Sequence, residues 1–186
     1  VLVQLVSLIK NGQPVAMSTR KGKFITLKEV VDEVGADAAR FIFLTRSPDT
    51  SLEFDLDLAK AKTKDNPVYY VQYAGARIES ILRAAGEQTA HPNLNLLDKT
   101  EEVAMIKQLT SFPELIQVAA LRKEPHHLTS YLSALARQFH HYYGLHRIVM
   151  EDNPELSRAR LALARAIRLV IRLGLDMRGV SSPDTM

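Results

Sequence analysis

Four of the eight prolines, Pro67, Pro113, Pro125 and Pro154, stand at the head of runs whose apolar residues recur every three or four positions. Proline suits the first helical turn, where its missing N–H has no intrahelical partner to lose, and it breaks a helix anywhere further in. A chain punctuated this way folds as successive helices, each closing before the next proline. Asn66 and Asn153 add capping side chains ahead of two of these starts. In VYYVQYAGARIESILRAA, Val68, Val71, Ala74 or Gly75, Ile78 and Ile81-Leu82 share one side. In HHLTSYLSALARQFHHYYGLHRIV, the stripe is Leu128, Leu132, Leu135, Phe139, Tyr142 and His146, which places His146 among packed residues with a polar partner. Asp98 with Glu101 offers a cap before VAMIKQL, and Gly174 is predicted to end the last helix, leaving GVSSPDTM nonhelical. Asn, His and Pro mark Gly86 to Leu97 as an interhelix loop.

The first third of the chain has another texture. Asn11-Gly12 after an imperfectly alternating apolar run is a hairpin signal, with Gln13 to Ala16 as the return strand and Pro14 at its start or edge. A polar loop, Ser18 to Lys23, follows. Thr26 and Glu29 make a capping box for LKEVVDEV, which Gly35 can end, and Asp37 opens a second short helix carrying Phe41, Ile42 and Leu44. Leu52, Phe54, Leu56 and Leu58 alternate with Glu53, Asp55 and Asp57, the pattern of a short strand or an extended arm with a solvated acidic side. The same acids would bind a metal only if their carboxylates converged, which a linear run does not show. The expectation is therefore two unequal units: residues 1–64, mixed α/β, and residues 65–186, an all-helical bundle. The first is short of strands for a self-sufficient α/β domain and reads as the end of something larger.

Composition removes several classes. With no cysteine, disulfides and thiolate chemistry are excluded. VLVQLVSLIKNG lacks a basic leader and reads as a strand or buried segment, and the other long apolar runs are interrupted by arginine, so no membrane span is predicted. A net charge of +3 says little, but its placement says more. Between Leu156 and Leu175 lie Arg158, Arg160, Arg165, Arg168 and Arg172 with no acid. At about 100° per residue, Arg158, Arg165, Arg168 and Arg172 fall within about 80° of one another, opposite Leu156, Ala159, Leu163, Ala166, Ile167 and Val170. Such a stripe is either a solvated face or a track for phosphates, whose oxygens match arginine forks. Arg77, Arg83 and Arg137 can extend it. Tyr69, Tyr70, Tyr73, Tyr142 and Tyr143 are core or groove-edge residues by default. Tyr70, Tyr73 and Tyr143 are also candidates to stack on unpaired bases with their hydroxyls wet. The pairs His126-His127 and His140-His141 splay by about 100° on a helix and fit packing better than zinc ligation. No HExxH pair, Walker loop, dinucleotide fingerprint or GxSxG elbow is present.

The loop AMSTRKG offers hydroxyls, cations and a permissive glycine, which suit either polyphosphate oxygens or a plain hydrophilic turn. Taken with five other segments in order, it resembles a family. MSTRKG at 17–22 is similar to the mobile signature loop of the class I arginyl-tRNA synthetases, and FITLKEVVDEVGADAARFIFLTRS at 24–47 to the segment behind it. LEFDLDLA at 52–59 and NPVYYVQYAGARI at 66–78 resemble the link into the helical domain. LTSYLSALARQFHHYY at 128–143 and RLGLDMRGVSSPDTM at 172–186 resemble the anticodon-binding bundle and its last segment.

The resemblance implies a mainly α fold, a helical anticodon-binding bundle preceded by a small α/β remnant of a catalytic domain. It implies that Met17, Ser18, Thr19 and Gly22 would form the ATP loop, with Arg20 and Lys21 as catalytic cations stabilising pyrophosphate-side charge. Ala16 and Thr19 stand where the general signature has its two lysines, and Gly75 where the family usually presents histidine. Implied partners are arginine-accepting tRNA, bound through Tyr70, Tyr73, Arg77, Arg137, Tyr143, Arg165, Arg168 and Arg172, with arginine and ATP–Mg2+ in the complete enzyme. No metal site and no tightly bound cofactor are expected in the chain itself, which is expected to be cytoplasmic and monomeric. The upstream His-Ile-Gly-His-like signature and amino-acid pocket are missing, so the chain is expected to be a C-terminal portion that does not form arginyl adenylate alone. A helical protein-interaction or scaffolding module is the competing reading.

Overall fold

A computed structural model describes residues 4–15, 24–86 and 91–186. Asn11 and Gly12 take φ of 52° and 69°, the left-handed pair a tight hairpin turn requires, and join β1 (Val6–Lys10) to a brief antiparallel β2 (Gln13–Pro14). β2 covers only these two residues, though the Val15 N–H still donates to the Leu8 carbonyl at 2.8 Å, and Ala16 of the expected return strand lies outside the described residues. β1 also pairs in parallel with β3 (Leu52–Asp55), giving the order β2-β1-β3. The crossover between them is α1 (Leu27–Val34) and α2 (Ala36–Phe43). The Thr26 hydroxyl accepts from the Glu29 N–H at 3.2 Å, and the Glu29 carboxylate accepts from the Thr26 N–H at 2.6 Å, completing the capping box. Gly35, at φ 85°, turns the chain between the two helices.

The alternating segment is a strand only to Asp55. There the Asp55 carboxylate accepts from the N–H groups of Asp57 and Leu58 at 2.9 and 3.0 Å and starts α3 (Leu56–Lys60). Local side-chain capping thus overrides the period-two pattern. Phe54 in the strand and Leu56 at the start of the helix are both fully buried.

Five longer helices follow: α4 (Pro67–Ala85), α5 (Thr100–Thr110), α6 (Phe112–Arg122), α7 (His126–Leu145) and α8 (Pro154–Asp176). Asn66 and Asn153 cap α4 and α8 by accepting from Tyr69 and Leu156, as their sequence positions predict. The cap of α5 lies one residue later than expected. Glu102, not Glu101, folds back to accept from the Lys99 N–H at 3.1 Å, because its other oxygen is drawn inward to Arg160. α7 stops at Leu145, short of the apolar pattern's end, and His146 follows it. His146 is half-buried against the Tyr142 ring, with Nε2 3.3 Å from Glu101.

α8 runs two residues past Gly174, which is an interior helical residue and not a terminator. A Cβ there would stand 2.6 Å from Leu132 Cδ2, so the glycine lets α7 approach α8. Fully buried Ile167 and Ile171 of α8, Leu132, Leu135 and Phe139 of α7, and Ile78 of α4 form the centre of the bundle. Each such side chain contributes about 1.5–3 kcal/mol on burial. The core continues without a break into Phe41, Phe54 and Leu56 of the α/β part.

Residues 177–186 double back across this junction. Arg40 donates to the Gly179 carbonyl at 2.6 Å, and the Ser181 N–H donates to Asp37 at 3.1 Å. The mainly α fold with a small α/β part is therefore as the sequence suggested. No helix among the described residues is long and apolar enough to cross a membrane.

Candidate nucleic-acid interface

On α4, Tyr69, Tyr73 and Arg77 are spaced by four and share a face, with Tyr70 beside them; on α7, His140 and Tyr143 are spaced by three. The packing of α4 on α7 merges these rows. Tyr69 and Tyr73 stack with ring centroids 5.9 Å apart and planes 11° from parallel. His140 lies 4.4 Å from the Tyr70 ring and 5.6 Å from that of Tyr73. The Arg77 guanidinium sits between two tyrosines, 4.5 Å from the Tyr73 centroid and 4.8 Å from that of Tyr143. It also donates to the Tyr73 hydroxyl at 2.7 Å.

His140 orders the centre of this cluster. Its Nε2 is 3.3 Å from the Tyr70 carbonyl and its Nδ1 is 3.3 Å from Arg77 Nη1. A carbonyl can only accept and a guanidinium can only donate, so the ring is neutral with its proton on Nε2. Burial holds the His140 pKa below the usual histidine range; the bond to the Tyr70 carbonyl opposes this, and the charge of Arg77 reinforces it. Protonation would set two donors against each other at Nδ1.

Tyr143 is 40% exposed, so this arrangement presents an open aromatic face backed by a cation. Hollows surround it. One of about 280 Å³ is lined by Tyr73, Ala76, Arg77, Ser80 and Met186. Another, of about 340 Å³, lies between Lys64, Asp65, Pro67, Tyr70, Ser133 and Arg137. A third, of about 420 Å³, has Ile81, Tyr143 and Arg147 in its wall. Flat π faces, a fixed guanidinium and flanking lysine and arginine are what unpaired bases on a phosphate backbone need.

Of the candidates named from sequence, Tyr70, Tyr73, Arg77 and Tyr143 meet in this cluster, and exposed Arg137 adjoins it through the hollow it shares with Tyr70. Arg165 and Arg172 are exposed on α8, outside the cluster. Arg168 leaves the stripe. It is only 6% exposed and is bonded to Ser182 and Asp184, with Glu79 3.6 Å from its Nε, because the segment after α8 covers it. Helical angle alone could not foresee that cover.

His140, Tyr69 and Met186 are the residues that sequence reasoning did not assign to the interface. The three-residue step from His140 to Tyr143 was the available signal for the histidine. The loop holding Met17, Ser18, Thr19, Arg20, Lys21 and Gly22 lies outside the described residues. Among the described residues, no three His, Asp or Glu side chains gather to hold a metal ion.

The helical part has the sequence of an anticodon-binding module: the chain belongs to the DALR anticodon binding domain family, whose pattern matches residues 71–186. Over its whole length it is similar to arginine–tRNA ligases. It is 49% identical to that of Citrifermentans bemidjiense and 50% identical to that of Desulfosudis oleivorans, spanning 34% and 35% of their lengths. A solved structure from Campylobacter jejuni, provisionally assigned as an arginyl-tRNA synthetase, superposes with a TM-score of 0.87 at 31% identity, covering 100% of this chain and 40% of that one. The Thermus thermophilus arginyl-tRNA synthetase gives 0.73 at 27% identity, covering 96% and 34%. The resemblance carried by the six sequence segments therefore holds, and it favours the synthetase reading over a scaffolding module. The chain spans about a third of the curated relatives it matches.

Proposed function

We propose that the chain is the tRNA-gripping part of an arginine–tRNA ligase, with the α4–α7 cluster receiving nucleotides of the anticodon arm. The observation that supports it most is the Arg77 guanidinium held between Tyr73 and Tyr143 beside an ordered neutral His140. Tyr70, Tyr73 and Tyr143 supply stacking surfaces. Arg77 and Arg137 supply cations near the bases, and Arg165 and Arg172 contact backbone phosphates. Residues 65–186 act as the anticodon-binding unit, and residues 1–64 as the edge of the catalytic unit.

In the complete enzyme, arginine is activated with ATP and Mg2+ before transfer to the tRNA. Arg20 and Lys21 bear the charge-stabilising role there, and Met17, Ser18, Thr19 and Gly22 shape the loop around the nucleotide. The protein is a cytoplasmic monomer in this reading. A filter-binding titration tests the partner. Tighter binding of tRNA with an arginine anticodon than of the same tRNA with an altered anticodon supports the proposal, and equal weak binding of both contradicts it. The chain alone should give no arginine-dependent pyrophosphate exchange, since a loop without its amino-acid pocket cannot orient both substrates. Sustained exchange would refute that part.

A further inference from the structure

The segment after α8 reaches the interface through a succession of clamps. The Gly179 carbonyl accepts from Arg40, and the Ser181 N–H and hydroxyl both donate to the Asp37 carboxylate. Gln72 of α4 donates to Asp37 and to the Ser181 carbonyl, each at 3.0 Å. Then Arg168 takes over. Its Nη1 donates to the Ser182 hydroxyl at 2.6 Å, and its Nη2 to the Ser182 carbonyl at 3.3 Å and to Asp184 at 2.7 Å. Two residues further on, Met186 lines the hollow beside Tyr73 and Arg77 and also the one beside Tyr69 and Gln72.

Arg168 lies against α4 at Gly75, where a Cβ would meet its Nη1 at 3.4 Å in ordinary contact. We propose that Arg168 is a positioning residue for RNA binding. It fixes residues 182–184 against α4, so that Met186 stands as an apolar wall of the groove next to Tyr73 and Arg77. This rests on the reading of the α4–α7 cluster as the RNA site.

The argument is one of reach and enclosure. Asp37 and Gln72 hold the segment at Ser181, but the bonds found beyond that point, at Ser182 and Asp184, run to Arg168. Side-chain bonds to a charged, enclosed guanidinium are among the stronger ones available to an irregular segment. A guanidinium so enclosed cannot also neutralise a phosphate, so its contribution to RNA affinity is not counterion release. Arg168 thus does the opposite of what its place in the arginine stripe suggests.

Methyl NMR of methionine-labelled protein, joined to RNA titrations at several salt concentrations, tests this. Arg168→Gln is one variant. Ser182→Ala with Asp184→Asn is another, and it breaks the clamp from its exposed side without disturbing the core. Both should move the Met186 methyl resonance toward that of a solvated methionine. Both should weaken binding of tRNA with an arginine anticodon by about tenfold, the worth of one apolar contact, with the salt slope unchanged. In a Met186→Ala background, Arg168→Gln should cause no further loss of affinity. An unmoved Met186 methyl, a slope reduced by about 0.7–0.9 as for a lost phosphate contact, or an undiminished loss in the Met186→Ala background would each overturn the proposal. Should the unsubstituted chain bind no RNA, the RNA reading fails, and the methyl resonance still decides whether Arg168 places Met186.

Discussion

Removing the Glu102 carboxylate should destabilise the bundle from its centre. Glu102 is 0% exposed and Arg160 5%. One Glu102 oxygen accepts from Arg160 Nε and from the Tyr142 hydroxyl, both at 2.8 Å, and the other accepts from the Lys99 N–H. Arg160 also donates to the Arg147 carbonyl at 2.7 Å, so a single carboxylate ties α5, α7, α8 and the α7–α8 connection. Burial, and next the bond to Glu102, keep the Tyr142 hydroxyl protonated far above the usual phenol range, so it serves as a permanent donor.

Glu102→Ala leaves an enclosed guanidinium without its counter-charge, a defect that costs about 3–5 kcal/mol. For a chain of this length that is a fall in Tm of roughly 6–20 °C. Replacing the network by Glu102→Met, Arg160→Met and Tyr142→Phe removes both charges and the hydroxyl together, leaving the Lys99 N–H and the Arg147 carbonyl without these partners, and should return stability to within about 2 kcal/mol of the unsubstituted chain. Urea denaturation followed by circular dichroism reads both. A single-variant loss under about 1 kcal/mol, or a triple variant as unstable as the single, would refute the reasoning.

Three further outcomes are expected. His140 has a lowered folded pKa, so the unfolded chain takes up its proton first; the stability from the neutral ring is present above the unfolded value of about 6.5 and is lost as pH falls through it toward the folded value. His140→Gln should flatten that portion of a stability–pH curve measured by urea midpoints, and an unchanged curve would count against a buried ring held neutral in the fold. Gly174→Ala gains about 0.5–1 kcal/mol of helix preference, but its Cβ meets Leu132 at 2.6 to 3.2 Å, an overpacking worth about 1–3 kcal/mol; a net loss is expected in thermal melts, and a stabilised variant would contradict the packing. Arg165→Gln with Arg172→Gln should reduce the salt dependence of RNA binding by a slope of roughly 1.4–1.8, whereas an unchanged slope would show that α8's exposed face meets no phosphate.

Helix starts were legible because Asn66-Pro67 and Asn153-Pro154 combine a side-chain cap with a residue that only a first turn tolerates. Thr26 with Glu29 was readable for the same local reason. Features set by tertiary neighbours were not. Gly174 carries the local mark of a helix end, yet it serves an approach by Leu132, 42 positions earlier in the chain. Glu102 rather than Glu101 closes the α5 cap because Arg160 calls for a carboxylate inside. Arg168 shares its helical angle with exposed arginines but is covered by a segment with no periodicity to read. The tyrosines and Arg77 were visible as separate candidates. Their convergence, and the part of His140, needed the α4–α7 contact.

The most direct test is the affinity for tRNA with an arginine anticodon, compared between the unsubstituted chain and Tyr143→Ala. A base stacked on that ring is worth about 1–3 kcal/mol, so binding should weaken by roughly five- to 150-fold. An affinity that Tyr143→Ala leaves intact would mean that the anticodon arm is gripped elsewhere.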